Sequence, residues 1–248
     1  MTESPLTVRP ERRTELAAGL ARVRSRIADA CAAAGRSPDS VTLVAVTKTY
    51  PAVDVLALAE LGVRDVGENR DQEAAPKAAA VAAAGAAPRW HFIGQLQRNK
   101  ARSVVRYADV VQSVDSVRLA AALGTAATAA RDRPLDVLVQ VSIDGDAARG
   151  GALPGLADPD RGLDPVAAAV AGADGLRLAG LMAVAPLGWE PDRAFARLAE
   201  VAARLRGDHP GATVLSAGMS GDLESAVAHG ATHVRVGSAL LGMRPTLG

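Results

Sequence analysis

Lys48 stands where a strand should stop. The stretch VTLVAVTKTYP, residues 41–51, opens on aliphatic and β-branched residues that read as core, then ends on an ammonium group. An amine at such a place has two ordinary fates. It snorkels out of the core into water, or it sits in a partly dry pocket where its pKa falls and it turns nucleophilic enough to form a Schiff base. Two further segments bear on the choice. LSAGMSGDLESAVAHG (215–230) and VRVGSALLG (234–242) each follow a strand-like run with a Gly/Ser turn. In the first, Ser216 and Met219 precede, and Ser220 and Gly221 start, a helix expected over 221–229, whose free N–H groups and dipole favour an anion. The alternative is an ordinary capped turn with Ser220 as its N-cap. In the second, Arg235 precedes Gly237 and Ser238.

The elements that must position these residues alternate along the chain. Runs rich in Val, Ile and Leu predict strands at 41–47, 63–67, 90–94, 109–112, 135–142, 176–184, 213–217 and 233–237. Ala/Leu/Arg/Glu stretches between them predict helices at 51–61, 69–83, 96–105, 116–131, 164–172, 191–206 and 221–229. An extra amphipathic helix precedes the first strand, with Leu16, Leu20, Val23 and Ile27 at helical spacing and Gly35 closing it. Eight strand–helix units in about 200 residues predict a (β/α)8 TIM barrel of the α/β class. An open doubly wound sheet is the alternative, but no GxGxxG follows the first strand. No linker divides the chain, so residues 1–248 read as one domain. The Gly/Pro/Asp-rich stretch 144–165 is long for a βα loop and reads equally as an active-site loop or a surface insertion.

In such a barrel the working face is the C-terminal end of the strands, and the turns after strands seven and eight often hold phosphate. Lys48, the two Gly/Ser turns and Arg235 would then share one mouth. An amine, a phosphate cradle and an arginine suit a phosphorylated aldehyde, and pyridoxal 5'-phosphate fits that description.

Composition excludes several other classes. A formal net charge of +1 gives no bulk attraction to nucleic acid or a membrane surface. Aromatics at 2% leave no stacking platform for single strands. No apolar leader opens the sequence, and the mild run KAAAVAAAGAAP (77–88) is too short to span a bilayer. Cys31 is the single cysteine, so no intrachain disulfide forms, which fits a reducing, cytoplasmic setting. In its Ala-rich helix Cys31 reads as a small buried hydrophobe. His91 reads as an internal hydrogen-bonding residue rather than a metal ligand. His209, His229 and His233 read as helix-end and loop residues, and no His/Cys/Asp/Glu cluster has metal-site spacing. Gln97 reads as structural, while Asn99 and Lys100 fit either the mouth or a capped turn.

The blocks LVAVTKTYP (43–51), VGEN (66–69), WHFIGQLQRNK (90–100), GLMAV (180–184), LSAGMSGDLESAVAHG (215–230) and VRVGSALLG (234–242) resemble the YggS/PROSC-type pyridoxal phosphate homeostasis proteins, whose barrel is like the alanine racemase N-terminal domain. The resemblance implies that Lys48 carries the cofactor as a Schiff base. It implies that Met219, Ser220, Gly237 and Ser238, with Ser216 close by, hold the phosphate. Arg235 is expected near the pyridine nitrogen and Asn69 near the cofactor face. The stretch after strand five, SIDGDAARGGALPGLADPDRG, departs from the family's short Ser/Lys-then-Gly signature. An arginine at the ring nitrogen stays protonated and disfavours a second proton there, which weakens the ring as an electron sink.

Racemisation needs a base on each face of the substrate carbon. In alanine racemases the second base is a tyrosine from a following β-domain. This sequence ends at Gly248, about ten residues past the last strand, so that domain is expected to be absent, and the tyrosines are Tyr50 and Tyr107. Three readings stay open: a carrier that takes part in intracellular vitamin B6 and amino-acid homeostasis, an amino-acid (alanine) racemase of weak activity, and a Schiff-base aldolase without the cofactor. The carrier reading has apo pyridoxal-phosphate enzymes as candidate recipients, and an open mouth compatible with a monomer.

Overall fold

The computed structural model describes residues 7–242; residues 1–6 and 243–248, and with them the expectations drawn from the two chain ends, lie outside that range. Eight parallel strands close a barrel in sequence order, with the last paired to the first. They are β1 (Thr42–Val46), β2 (Asp65–Glu68), β3 (Arg89–Phe92), β4 (Val110–Val114), β5 (Leu135–Gln140), β6 (Leu176–Met182), β7 (Val214–Ser216) and β8 (His233–Val236). All eight predicted strands are present. Most are shorter than the apolar runs, because Thr47, Ile93, Gly94, Ala217 and Gly237 already belong to the loops at the barrel mouth.

The helices fall between the strands: α2 (Ala52–Glu60), α3 (Asp71–Ala83), α4 (Ala101–Val104), α5 (Val117–Ala130), α6 (Leu163–Ala171), α7 (Pro191–Asp208), α8 (Leu223–Ala228) and α9 (Ser238–Leu241), after the leading α1 (Pro10–Ala33). The helix expected over 96–105 is a 3-10 turn at Arg98–Lys100 followed by one α-turn. Gln97 is extended there and separates Leu96 from the turns, although Leu96, Ala101, Val104 and Val105 are all buried.

The extra helix is part of the fold. Leu16, Leu20, Val23, Ile27 and Cys31 are buried on one stripe of α1, packed with Leu223, Val227, Leu240 and Leu241 of α8 and α9. A Cβ on Gly19 would stand 2.1 Å from the Leu240 carbonyl oxygen, so only glycine lets α1 approach α9 this closely. Arg26 of α1 donates to both carboxylate oxygens of Glu224 and to the Ser220 carbonyl at 3.0 Å. The leading helix thereby braces the turn after β7.

The 144–165 stretch is pinned to the barrel. Short bridges join Val141 to Ala152 and Leu153 to Gly162, and Asp144 accepts from Arg149 and Ser142. None of its residues lines the mouth cavity described below. His233 is not a loop residue: it opens β8, with its ring centroid 6.1 Å from that of His91. Burial pushes its pKa down to about 4. A folded-state value below the unfolded 6.5 means the unfolded chain binds more protons between the two. Stability is therefore full above pH 6.5 and lost as pH falls toward 4, by on the order of 2–3 kcal/mol. Denaturant unfolding at pH 7 and pH 4.5 checks this, and His233→Gln should flatten that part of the profile.

Candidate functional site

A cavity of 570 Å³ opens at the C-terminal end of β1, β7 and β8. Lys48, Met219, Ser220, Arg235, Gly237 and Ser238 line it, together with Val46, Tyr50, Ile93 and Gly221. Six of the eight residues singled out from the sequence thus share one space. Larger grooves exist elsewhere, one of them around Arg13, Arg64 and Arg89, but they hold no lysine.

The sequence contains three lysines, Lys48, Lys77 and Lys100. Lys77 is buried in α3, and its Nζ donates to Thr47 O at 2.9 Å, Glu68 Oε1 at 2.7 Å and Glu73 Oε1 at 2.7 Å. Lys100 stands 3.9 Å from Asp71. Lys48 alone of the three has no hydrogen-bond or ion-pair partner among the described residues, and it is the one in the cavity.

The turn that presents Lys48 is held from below. Thr49 has φ 69°, a left-handed conformation that costs a β-branched residue about 1–3 kcal/mol. Its N–H donates to Glu73, which also takes the Lys77 ammonium. Thr47 donates to Glu68 at 2.6 Å, and Lys77 grips the Thr47 carbonyl. Burial raises the Glu68 pKa despite the opposing pull of Lys77 and Thr47, and its Oε2 has no hydrogen-bond partner among the described residues. This Glu68–Lys77–Glu73 knot was not foreseen. Lys77 lies in an Ala-rich helix where a lone lysine reads as solvent-facing, and only its i,i+4 spacing from Glu73 hinted at a pair.

Two turns form the opposite wall. Gly218 has φ 89°, and a Cβ there would meet Ala226 Cβ at 2.6 Å, so glycine is required where the chain leaves β7. The helix after it starts at Leu223 with Asp222 as N-cap, rather than at 221 with Ser220 as N-cap, and Met219 N donates to Asp222 at 2.6 Å. Ser220 is thereby freed from capping. The backbone N–H groups and hydroxyls of Ser220 and Ser238, and the N–H groups of Gly221 and Gly237, have no acceptor among the described residues. Several free donors facing one cavity suit a phosphate.

Arg235 is 4% exposed, and burial pushes its pKa down to about 10, which still leaves it protonated at neutral pH. Its Nη1 donates to the Ser216 carbonyl and hydroxyl at 2.8 Å each, and its Nη2 to Ala183 O at 2.8 Å. All of these acceptors are uncharged. Three of its five N–H groups are thus used, and the Nε–H and one Nη2–H, which have no acceptor among the described residues, are left for a ligand.

Two predicted residues stand apart. Ser216 is fully buried behind Arg235 rather than in the cavity wall, because it ends β7 with its side chain turned into the barrel. Asn69 is half-buried beyond the end of β2 and does not line the cavity. Tyr50 does line it, but its hydroxyl donates to Gly242 O at 2.7 Å. Burial, and then the adjacent Asp71, raise the Tyr107 pKa. Among the described residues no group of His, Cys, Asp and Glu is placed to hold a metal ion, and no helix is long and apolar enough to cross a membrane.

The chain is similar to several known proteins. The family model for the alanine racemase N-terminal domain matches residues 19–245. A pyridoxal phosphate homeostasis protein of Mycobacterium tuberculosis is 47% identical over 255 aligned residues, covering 96% of each chain. One from Escherichia coli is 39% identical, covering 93% of this chain and 97% of the other. Among solved structures, PipY of Synechococcus elongatus with pyridoxal phosphate bound is 34% identical with a TM-score of 0.74, over 92% of this chain and all of PipY. The alanine racemase of Streptomyces coelicolor, 21% identical with a TM-score of 0.71, shares the fold over 94% of this chain and 59% of its own.

Proposed function

The chain belongs to the alanine racemase N-terminal domain family, and to the pyridoxal phosphate homeostasis proteins within it; on that premise we propose that it is a single-domain carrier, residues 1–248, that holds pyridoxal 5'-phosphate as a Schiff base on Lys48 and takes part in vitamin B6 and amino-acid homeostasis. One observation carries this reading. Lys48, without a partner among the described residues, opens into the same cavity as Ser220, Gly221, Gly237, Ser238 and Arg235, whose N–H or O–H donors include several with no acceptor there. When bound, the cofactor would supply the aldehyde chemistry, and the Lys48 amine would hold it covalently. Ser220, Gly221, Gly237 and Ser238 would hold its phosphate, with Met219 beside them, and Arg235 would donate toward its ring nitrogen. Asn69 and Ser216, predicted as contacts, act from outside the cavity wall.

Supporting the rest of the proposal are the small net charge, the single buried cysteine and the open mouth. They suit a cytoplasmic monomer that releases cofactor to apo enzymes.

A titration with pyridoxal phosphate and with pyridoxal tests the phosphate part. A yellow absorption band is expected with the first. Pyridoxal, which lacks the phosphate, should bind at least about 100-fold more weakly, since two charge-assisted hydrogen bonds are lost. Equal affinity for both, or no band, would contradict the assignment. Lys48-dependent formation of D-alanine from L-alanine by the loaded protein would replace the carrier by the racemase reading.

A further inference from the structure

We propose that Asp65, His91, Gln112 and Ser216 are positioning residues for the Arg235 guanidinium, joined to it by one directed hydrogen-bond chain across the barrel interior. The proposal rests on the reading of the cavity as a pyridoxal phosphate site.

The links are short and the residues come from five strands. Arg235 Nη1 donates to Ser216 Oγ at 2.8 Å. Ser216 Oγ donates to Gln112 Oε1 at 2.7 Å. Gln112 Nε2 is 2.8 Å from His91 Nδ1, and His91 Nε2 is 2.8 Å from Asp65 Oδ1. Gln112 and Ser216 are fully buried and His91 is nearly so. Arg235 lies at the mouth cavity, whereas Asp65 opens β2 at the other end of the barrel and lines grooves there.

The direction of the chain follows from its ends. A guanidinium only donates, and an ionised carboxylate only accepts. Burial pushes Asp65 toward protonation, but the His91 hydrogen bond and nearby Arg89 outweigh it and hold the group below the usual carboxylate range. Asp65 is therefore the acceptor end. Between those ends every proton has one place. Ser216 accepts from Arg235 and gives its own proton to the Gln112 carbonyl. The Gln112 amino group then faces His91 Nδ1, so the imidazole proton sits on Nε2, toward Asp65. A flipped Gln112 amide would leave the Ser216 hydroxyl between two donors. Bonds polarised in series strengthen one another.

What the chain does is orient Arg235. Buried, and with no carboxylate in hydrogen-bonding contact among the described residues, the guanidinium is fixed by Ser216 and by the Ala183 carbonyl, and this sets where its two unused N–H groups point. Gln112 and His91 lock Ser216 in turn.

The tautomer is measurable without cofactor. Nitrogen NMR of histidine-labelled protein should show His91 protonated on Nε2 and bare on Nδ1. In Gln112→Glu, an acceptor-only side chain replaces the donor, and Nδ1 should become protonated. With cofactor, Gln112→Leu should bind pyridoxal phosphate about tenfold more weakly and shift the pH midpoint of the yellow band. Ser216→Ala should do the same, and Ser216→Thr, which keeps the hydroxyl, should stay within about twofold of wild type. A wild-type His91 protonated on Nδ1 overturns the chain's direction. Wild-type affinity and pH profile in both Gln112→Leu and Ser216→Ala overturn the positioning role. A wild type that binds no cofactor would instead defeat the reading of the cavity, and the His91 tautomer would then judge the chain by itself.

Discussion

Lys48→Ala should abolish the yellow absorption of the loaded protein and all covalently held cofactor, while the barrel stays folded. The amine is half-buried at the mouth and makes no hydrogen bond or ion pair among the described residues. Its removal should therefore change stability by no more than about 0.5 kcal/mol. Loss of function without loss of fold separates this residue from the other two lysines. Neither can substitute for it: the Lys77 amine is surrounded by three oxygens, and Lys100 lies toward Asp71. Absorption spectra and thermal melts of wild type and Lys48→Ala, each with added cofactor, check both halves of this result. A variant that stayed yellow would place the Schiff base elsewhere.

Lys77→Met should have the opposite signature, a large loss of stability. It strands Glu68, fully buried, and removes a hydrogen bond from Glu73 and from the Thr47 carbonyl. Breaking a buried ion pair from one side costs about 3–5 kcal/mol. The loss should depend on pH in a defined sense. Glu68 already titrates above its ordinary value through burial, and without the ammonium its folded-state pKa rises further. The folded variant then holds a proton that the unfolded chain releases, so stability falls as pH rises through the unfolded carboxylate value toward the folded one. Lys77→Met should therefore be closer to wild type at pH 5 than at pH 8 in urea unfolding. Because this knot also braces Thr49, cofactor binding should weaken with it, and Lys77→Arg should recover part of the loss. A variant as stable as wild type at both pH values would show that the knot contributes little to the turn.

Much of the fold was legible because its strands are buried on both faces and read as unbroken Val/Ile/Leu runs. The turns were legible where glycine was obligatory, as at Gly218. Lys48 stood out because a charge after VTLVAV has few explanations. What could not be read were residues whose meaning lies in a partner far along the chain. Gln112 is one polar residue inside VVQSV, and nothing local says that it meets Ser216 and His91 across the barrel. Asp65 opens a strand as many surface aspartates do. Ser216 was assigned to the phosphate by its nearness to Gly218 and Ser220. The two-residue alternation of a strand turns it inward to Arg235 instead. His91 was correctly read as internal, although its two partners were not visible.

The central claim is that one of three lysines carries the cofactor. Reduction of the loaded protein with borohydride, followed by peptide mass mapping, tests it most directly, because reduction makes the carbon–nitrogen link permanent. The account predicts one phosphopyridoxyl group per chain, on the peptide containing Lys48 and on no other. Label on Lys77, Lys100 or the terminal amine, or no label at all, would contradict it.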